Sequence, residues 1–143
     1  MRRGPSRMSP ERTFLPMSEF ASPYARTLGL TLSRDSGTAV VTMSAHDGTS
    51  GRPGFLHGGA IAGLLDYAAW VTLMDALEDG ARIKPIAITV DFMRGGKMEA
   101  SHASAQIVRE GRRIANVLAT AWQDDPDKPM ASANLKFLIE RDT

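Results

Sequence analysis

The segment from His57 to Gly80, HGGAIAGLLDYAAWVTLMDALEDG, constrains the fold more than any other part of the chain. It reads as one helix of about 20 residues, stopped by Gly80. Up to Met74 it is apolar on nearly every side, and Asp66 is the only acidic residue in that stretch. A helix that is hydrophobic all round cannot lie half-exposed on a surface, so protein must wrap it. The ionisable group at its middle argues against a membrane span.

The flanking sequence supplies the wrapping. Leu30–Arg34 and Thr38–Ser44 read as a hairpin around Asp35-Ser36-Gly37, followed by a Gly-, Ser- and Pro-rich loop from His46 to Phe55. Four extended segments come after the helix: Pro85–Met93, Met98–Val108, Arg112–Gln123 and Met130–Glu140. In the first, Ile86, Ile88, Val90 and Phe92 share a face. In the last, Ala131, Ala133, Leu135, Phe137 and Ile139 point inward. Short connections make these strands antiparallel neighbours, and the crossover helices of a doubly wound sheet are missing. The expected fold is therefore α+β, a curved antiparallel sheet wrapped around one long central helix. Its domain spans residues 17–143, with a short helix within 17–29 that ends at Gly29. Residues 1–16, with Gly4, Pro5, Pro10 and Pro16, are expected to form a mobile leader.

Composition narrows the class of function. The net charge is +1, and the basic excess belongs to the start, where Arg2, Arg3, Arg7 and Arg12 face Glu11 alone. No basic helix is evident, so neither nucleic acid nor an anionic membrane is an expected partner. The chain has no cysteine, which excludes a thiol nucleophile and a Cys-ligated zinc. With His46, His57 and His102 in no helical metal-binding spacing, no metal or cofactor is expected. The basic start lacks the apolar run of a secretory signal, and the chain is expected in the cytoplasm.

The start of the long helix carries the chemistry. Leu56-His57-Gly58-Gly59 has no Ser, Thr, Asp or Asn to cap the first backbone N–H groups. Two glycines leave those amides sterically open, and an open helix start favours an anion or a developing oxyanion. Alternatively, Gly58-Gly59 only permits a tight turn into the helix. Asp66 tips the balance, because an unpartnered carboxylate among Leu64, Leu65, Tyr67 and Ala68 is expensive to bury. Its pKa is expected to be raised, and it would serve as nucleophile or general base. Gly59 and Asp66 are seven residues apart, about 10 Å along a helix at 1.5 Å per residue. They cannot reach one reacting group within one chain. If both act, two copies must pair about a two-fold axis, the helix start of one facing Asp66 of the other.

These residues match a known pattern. LHGGAIAGLLDYAAW resembles the HGG-x(6)-D signature of the hotdog acyl-CoA thioesterases of the phenylacetate-degradation (PaaI-like) group, and the run from Ile88 to Phe137 is similar to that family's sheet. The resemblance spans roughly residues 24–140. It implies a homodimer or homotetramer of hotdog domains that hydrolyses acyl- or aryl-CoA thioesters without metal. By position, Gly59 would supply the oxyanion amide and Asp66 the nucleophile or general base. His57 would shape the helix start and contact the thioester region. The chain departs from the pattern at Gly51, where many members carry Asn, and at Lys84-Pro85-Ile86, where some carry Ser or Thr. Gly58 is expected at the substrate, and Arg94, Arg112 and Arg113 as a group are expected to bind the CoA phosphates, although each alone reads as a solvated turn residue. Two other functions compete: a hotdog hydratase or dehydratase, told apart by its product, and a non-catalytic acyl-CoA-binding or regulatory domain, which would bind without turnover.

Overall fold

The computed structural model describes residues 15–16, 22–78 and 80–141. Residues 1–14 of the expected leader and 17–21 of the expected first helix lie outside them. The order of elements is β1 (Leu15–Pro16), α1 (Pro23–Leu28), β2 (Leu30–Asp35), β3 (Thr38–Met43), a single 3-10 turn at Asp47–Thr49, α2 (Gly58–Ala76), β4 (Arg82–Phe92), β5 (Ser101–Glu110), β6 (Ile114–Trp122) and β7 (Ala131–Glu140). The strands form one antiparallel sheet in the order β1-β2-β3-β5-β6-β7-β4. Leu15 and Pro16 pair with Leu32 and Thr31 at one edge, and β4 forms the other edge beside β7.

The sheet wraps α2 as its apolar sequence requires. Ala60, Ile61, Leu64, Leu65, Ala68 and Leu73 are buried against it. The floor beneath the helix is graded. Near the turn between β6 and β7 it is paved with alanine, Ala121 opposite Ala131 and Ala119 opposite Ala133. Farther along the same strands Val117, Leu135 and Phe137 fill it. Small residues let the backbones approach closely at one end, and large ones fill the gap at the other. The inward set expected on β7 is buried throughout.

Boundaries differ where side chains override the local pattern. α2 ends at Ala76, four residues before Gly80. Leu77 turns extended (φ −89°, ψ 154°) to bury its side chain, and Gly80 (φ 88°) instead makes the bend toward β4. β4 starts at Arg82 because Glu140 on β7 holds Lys84 at 3.0 Å and Arg82 at 3.8 Å. β5 starts at Ser101, since the Gln123 side chain pins Lys97 and Glu99 in a bend. The short first helix ends at Gly29, whose φ of 72° suits glycine.

β4 is the unusual element. Opposite Leu135, Ala133 and Ala131, its Ile88, Val90 and Phe92 share the helix-facing side of the sheet, as their alternation predicts. Ile86 falls in a register shift between Pro85 and Ala87. Yet α2 does not cover this strand: Ile86, Ile88 and Phe92 are 52%, 44% and 55% exposed. An eleven-residue edge strand with apolar side chains in water is a template for pairing. No helix among the described residues is long and apolar enough to cross a membrane.

Candidate active site at the start of the central helix

The segment leading into α2 is bolted in place by backbone bonds. The Leu56 N–H donates to the Gly96 carbonyl and the His57 N–H to the Thr49 carbonyl, both at 2.8 Å. The loop before it closes on itself, Gly51 N–H to the Phe55 carbonyl and Phe55 N–H to the Arg52 carbonyl. The helix start therefore sits on a fixed base.

His57 is the N-cap. Its Nδ1 accepts the Gly59 N–H at 2.8 Å. A backbone amide can only donate, so Nδ1 is unprotonated and the neutral ring carries its proton on Nε2. The sequence, with no conventional cap, led to the expectation that both glycine amides stand open. The structure corrects this: the imidazole occupies the Gly59 amide, while the Gly58 N–H finds no acceptor among the described residues. An aromatic ring also lies against Gly58, where a Cβ would meet Phe92 Cζ at 3.3 Å.

Gly51 explains one departure from the family pattern. A Cβ at this position would lie 2.9 Å from His57 Cα and 3.3 Å from the Leu56 carbonyl oxygen. The backbone itself fills the space that an Asn side chain would leave through.

Asp66 lies two turns farther along α2. It belongs to the stripe Gly59, Ala62, Asp66 and Trp70 that the sheet leaves partly uncovered. Burial holds its carboxyl above the ordinary value of 3.8, as its apolar neighbours predict. The adjacent Tyr67 turns inward, and its hydroxyl hydrogen-bonds the Ser22 hydroxyl in front of α1.

The three expected phosphate-binding arginines are not together in one chain. Met93 N–H donates to the Met130 carbonyl, which fixes Arg94 at the β6–β7 end of the sheet. Arg112 and Arg113 occupy the β5–β6 turn at the opposite end of β6, a strand of nine residues. That places them about 26 Å away at about 3.3 Å per residue. The residue that does join Arg94 is Arg52, which the sequence reading passed over. Arg52, Phe55, Gly58, Phe92, Met93 and Arg94 line one cavity of about 350 Å³. The Arg52 guanidinium stacks 4.2 Å from the centre of the Phe55 ring. An arginine in a Gly- and Pro-rich loop beside the helix start was the available signal.

Comparison with known proteins is consistent with this geometry. A family model, the acyl-CoA thioesterase N-terminal domain, matches residues 46–138, more than half of the chain. No curated protein sequence matches it. Among solved structures, a phenylacetic acid degradation-related protein from Ralstonia eutropha is 25% identical with a TM-score of 0.74, over 82% of this chain and 90% of that one. A protein from Chromobacterium violaceum is 32% identical with a TM-score of 0.68, over 85% and 86%. A protein from Bacillus halodurans solved with CoA is 22% identical with a TM-score of 0.79, over 89% and 85%, and shares the fold. The chain belongs to the acyl-CoA thioesterase family and is a hotdog-fold thioester hydrolase.

Proposed function

We propose that the chain hydrolyses acyl- or aryl-CoA thioesters to the free acid and CoA in a site shared between two copies. The single observation that carries this reading is the pairing, on one helix, of an open amide at Gly58 with a partly buried carboxylate at Asp66, too far apart to meet in one chain. The thioester carbonyl oxygen lies at the helix start of one subunit. As the nucleophile adds, that oxygen becomes the oxyanion of the tetrahedral intermediate and accepts a hydrogen bond from the Gly58 N–H, and from the Gly59 N–H once the substrate displaces His57 Nδ1. The carboxylate of the partner's Asp66 either attacks the carbonyl carbon or takes a proton from the attacking water. The C–S bond then breaks, and CoA leaves as the thiolate and picks up a proton. On the nucleophilic route water next cleaves the mixed anhydride, which releases the free acid and restores the Asp66 carboxylate.

The uncovered edge of β4 supports the pairing. Two copies joined along β4 about a two-fold axis extend the sheet across both chains and cover Ile86 and Ile88. The axis reverses the strand, so the end holding the partner's Arg112 and the partner's Arg113 comes to lie at the same end as Arg94. The partner's Arg112 and the partner's Arg113 then serve the CoA phosphates, while Arg94 faces the cavity at the same end of the sheet. The Bacillus halodurans relative was solved with CoA, which fits a nucleotide-bearing substrate.

Thiol release from a panel of short-chain, long-chain and aryl-CoA thioesters tests the reading. Asp66→Asn is expected to lose about 100-fold or more in kcat/KM while staying folded and oligomeric. Full activity in that variant would sink the assignment. Binding of CoA thioesters without turnover in the native protein would favour the regulatory alternative.

A further inference from the structure

Resting on the thioesterase reading, we infer that the cavity beside Gly58 is an acyl subsite for short acyl groups ending in a carboxylate, selected by Arg52. Four of the described cations are held in ion pairs and most of the others are not; what distinguishes Arg52 and Arg94 is that they share one cavity. Arg34 pairs with Asp75, Arg82 and Lys84 with Glu140, and Arg141 with Glu78 and Glu110. Arg52 and Arg94 have no carboxylate partner among the described residues, and both line the same cavity. Stacking on Phe55 fixes the plane of the Arg52 guanidinium and leaves its N–H edge for a planar anion. The remaining walls used by a ligand, Phe92 and Met93, are apolar. Two unpaired guanidinium groups over an apolar floor fit a short carbon chain with an anionic end.

That anion has two sources, a CoA phosphate or a carboxylate on the acyl group, and length separates them. A sphere of the cavity's volume, about 350 Å³, is about 9 Å across. The pantetheine arm is as long as roughly four residues of extended chain, about 14 Å. With the carbonyl oxygen at the Gly58 N–H, the phosphates of the same molecule fall outside the cavity. A carboxylate about four bonds from the carbonyl carbon stays inside it. The acyl end therefore supplies the anion.

The test compares glutaryl with pentanoyl thioesters, matched in chain length, each on CoA and on phosphate-free N-acetylcysteamine. The native protein is expected to prefer glutaryl by about tenfold in kcat/KM on both carriers. Arg52→Met, at an exposed loop position, is expected to bring that ratio near one on both. A native ratio at or below one overturns the inference while pentanoyl hydrolysis leaves the thioesterase reading intact. So does a variant that slows both CoA thioesters equally and leaves the ratio on N-acetylcysteamine unchanged, which would assign Arg52 to a CoA phosphate. If the native protein cleaves no thioester, the hydrolase reading falls and takes this inference with it.

Discussion

A carboxylate partly buried among apolar side chains costs the fold stability. Burial raises the pKa of Asp66 above its value in the unfolded chain. Between the two values the folded state holds more protons, so stability falls as pH rises through that window. Each tenfold gain in proton affinity on folding corresponds to about 1.4 kcal/mol lost once the group ionises. Asp66→Asn is therefore expected to raise Tm at pH 8 and leave it nearly unchanged at pH 4, as read by thermal unfolding at both. Equal Tm values at pH 8 would show that the carboxylate has found a compensating partner. On the proposed mechanism the same ionisation governs turnover, because both routes open to Asp66 need the carboxylate. Activity should decline on acidification through a pKa above 3.8, and a pH–rate profile flat down to pH 4 in a stable protein would contradict it.

The junction between the loop and α2 shows how much of an element can be read from its residues. The apolar character of the helix announced its burial, and the alternation in β7 announced its inward face. The capping of Gly59 by His57 was not legible, because histidine is an uncommon N-cap and its role depends on a ring rotamer that sequence spacing does not carry. Nor was the closure of the space around Gly51, which arises from the backbone of residues 56 and 57 folding back across it. At this scale Gly51→Asn is expected to cost about 1–3 kcal/mol in chemical denaturation. It should not raise kcat, even though it restores the residue many family members carry. A faster, equally stable Gly51→Asn protein would mean that the loop yields easily and that the position is a lost catalytic site.

The whole molecule was legible as an architecture before it was legible as a set of boundaries. The order hairpin, helix, meander announced a sheet around an apolar helix, but not all of its pairing. The short connection from β4 to β5 led to the expectation that they are neighbours, whereas β4 pairs with β7 and β5 with β3. The connection crosses the β6–β7 end of the sheet and lets β5 join the first hairpin. The exposure of β4 was not foreseen: its alternation is that of a half-buried strand, and only the reach of α2 decides which half-buried strands are covered. If a second copy covers it, Ile88→Arg places a charge in the seam between two subunits. That variant is expected to sediment as a monomer and to lose thiol release by about 100-fold or more, while its circular dichroism stays native-like. A dimeric, active Ile88→Arg protein would move the subunit interface to another face. The bolted base of the helix start has a different consequence. Thr49 and Gly96 anchor the segment at Leu56 and His57, whereas Arg52, Pro53 and Gly54 project from a loop that closes on its own backbone. On the proposed reading, the groups that do chemistry stand on the anchored base, and the residue that chooses the substrate stands at the tip of the loop. Substitutions confined to that tip would then redirect the choice of acyl group and spare the reaction.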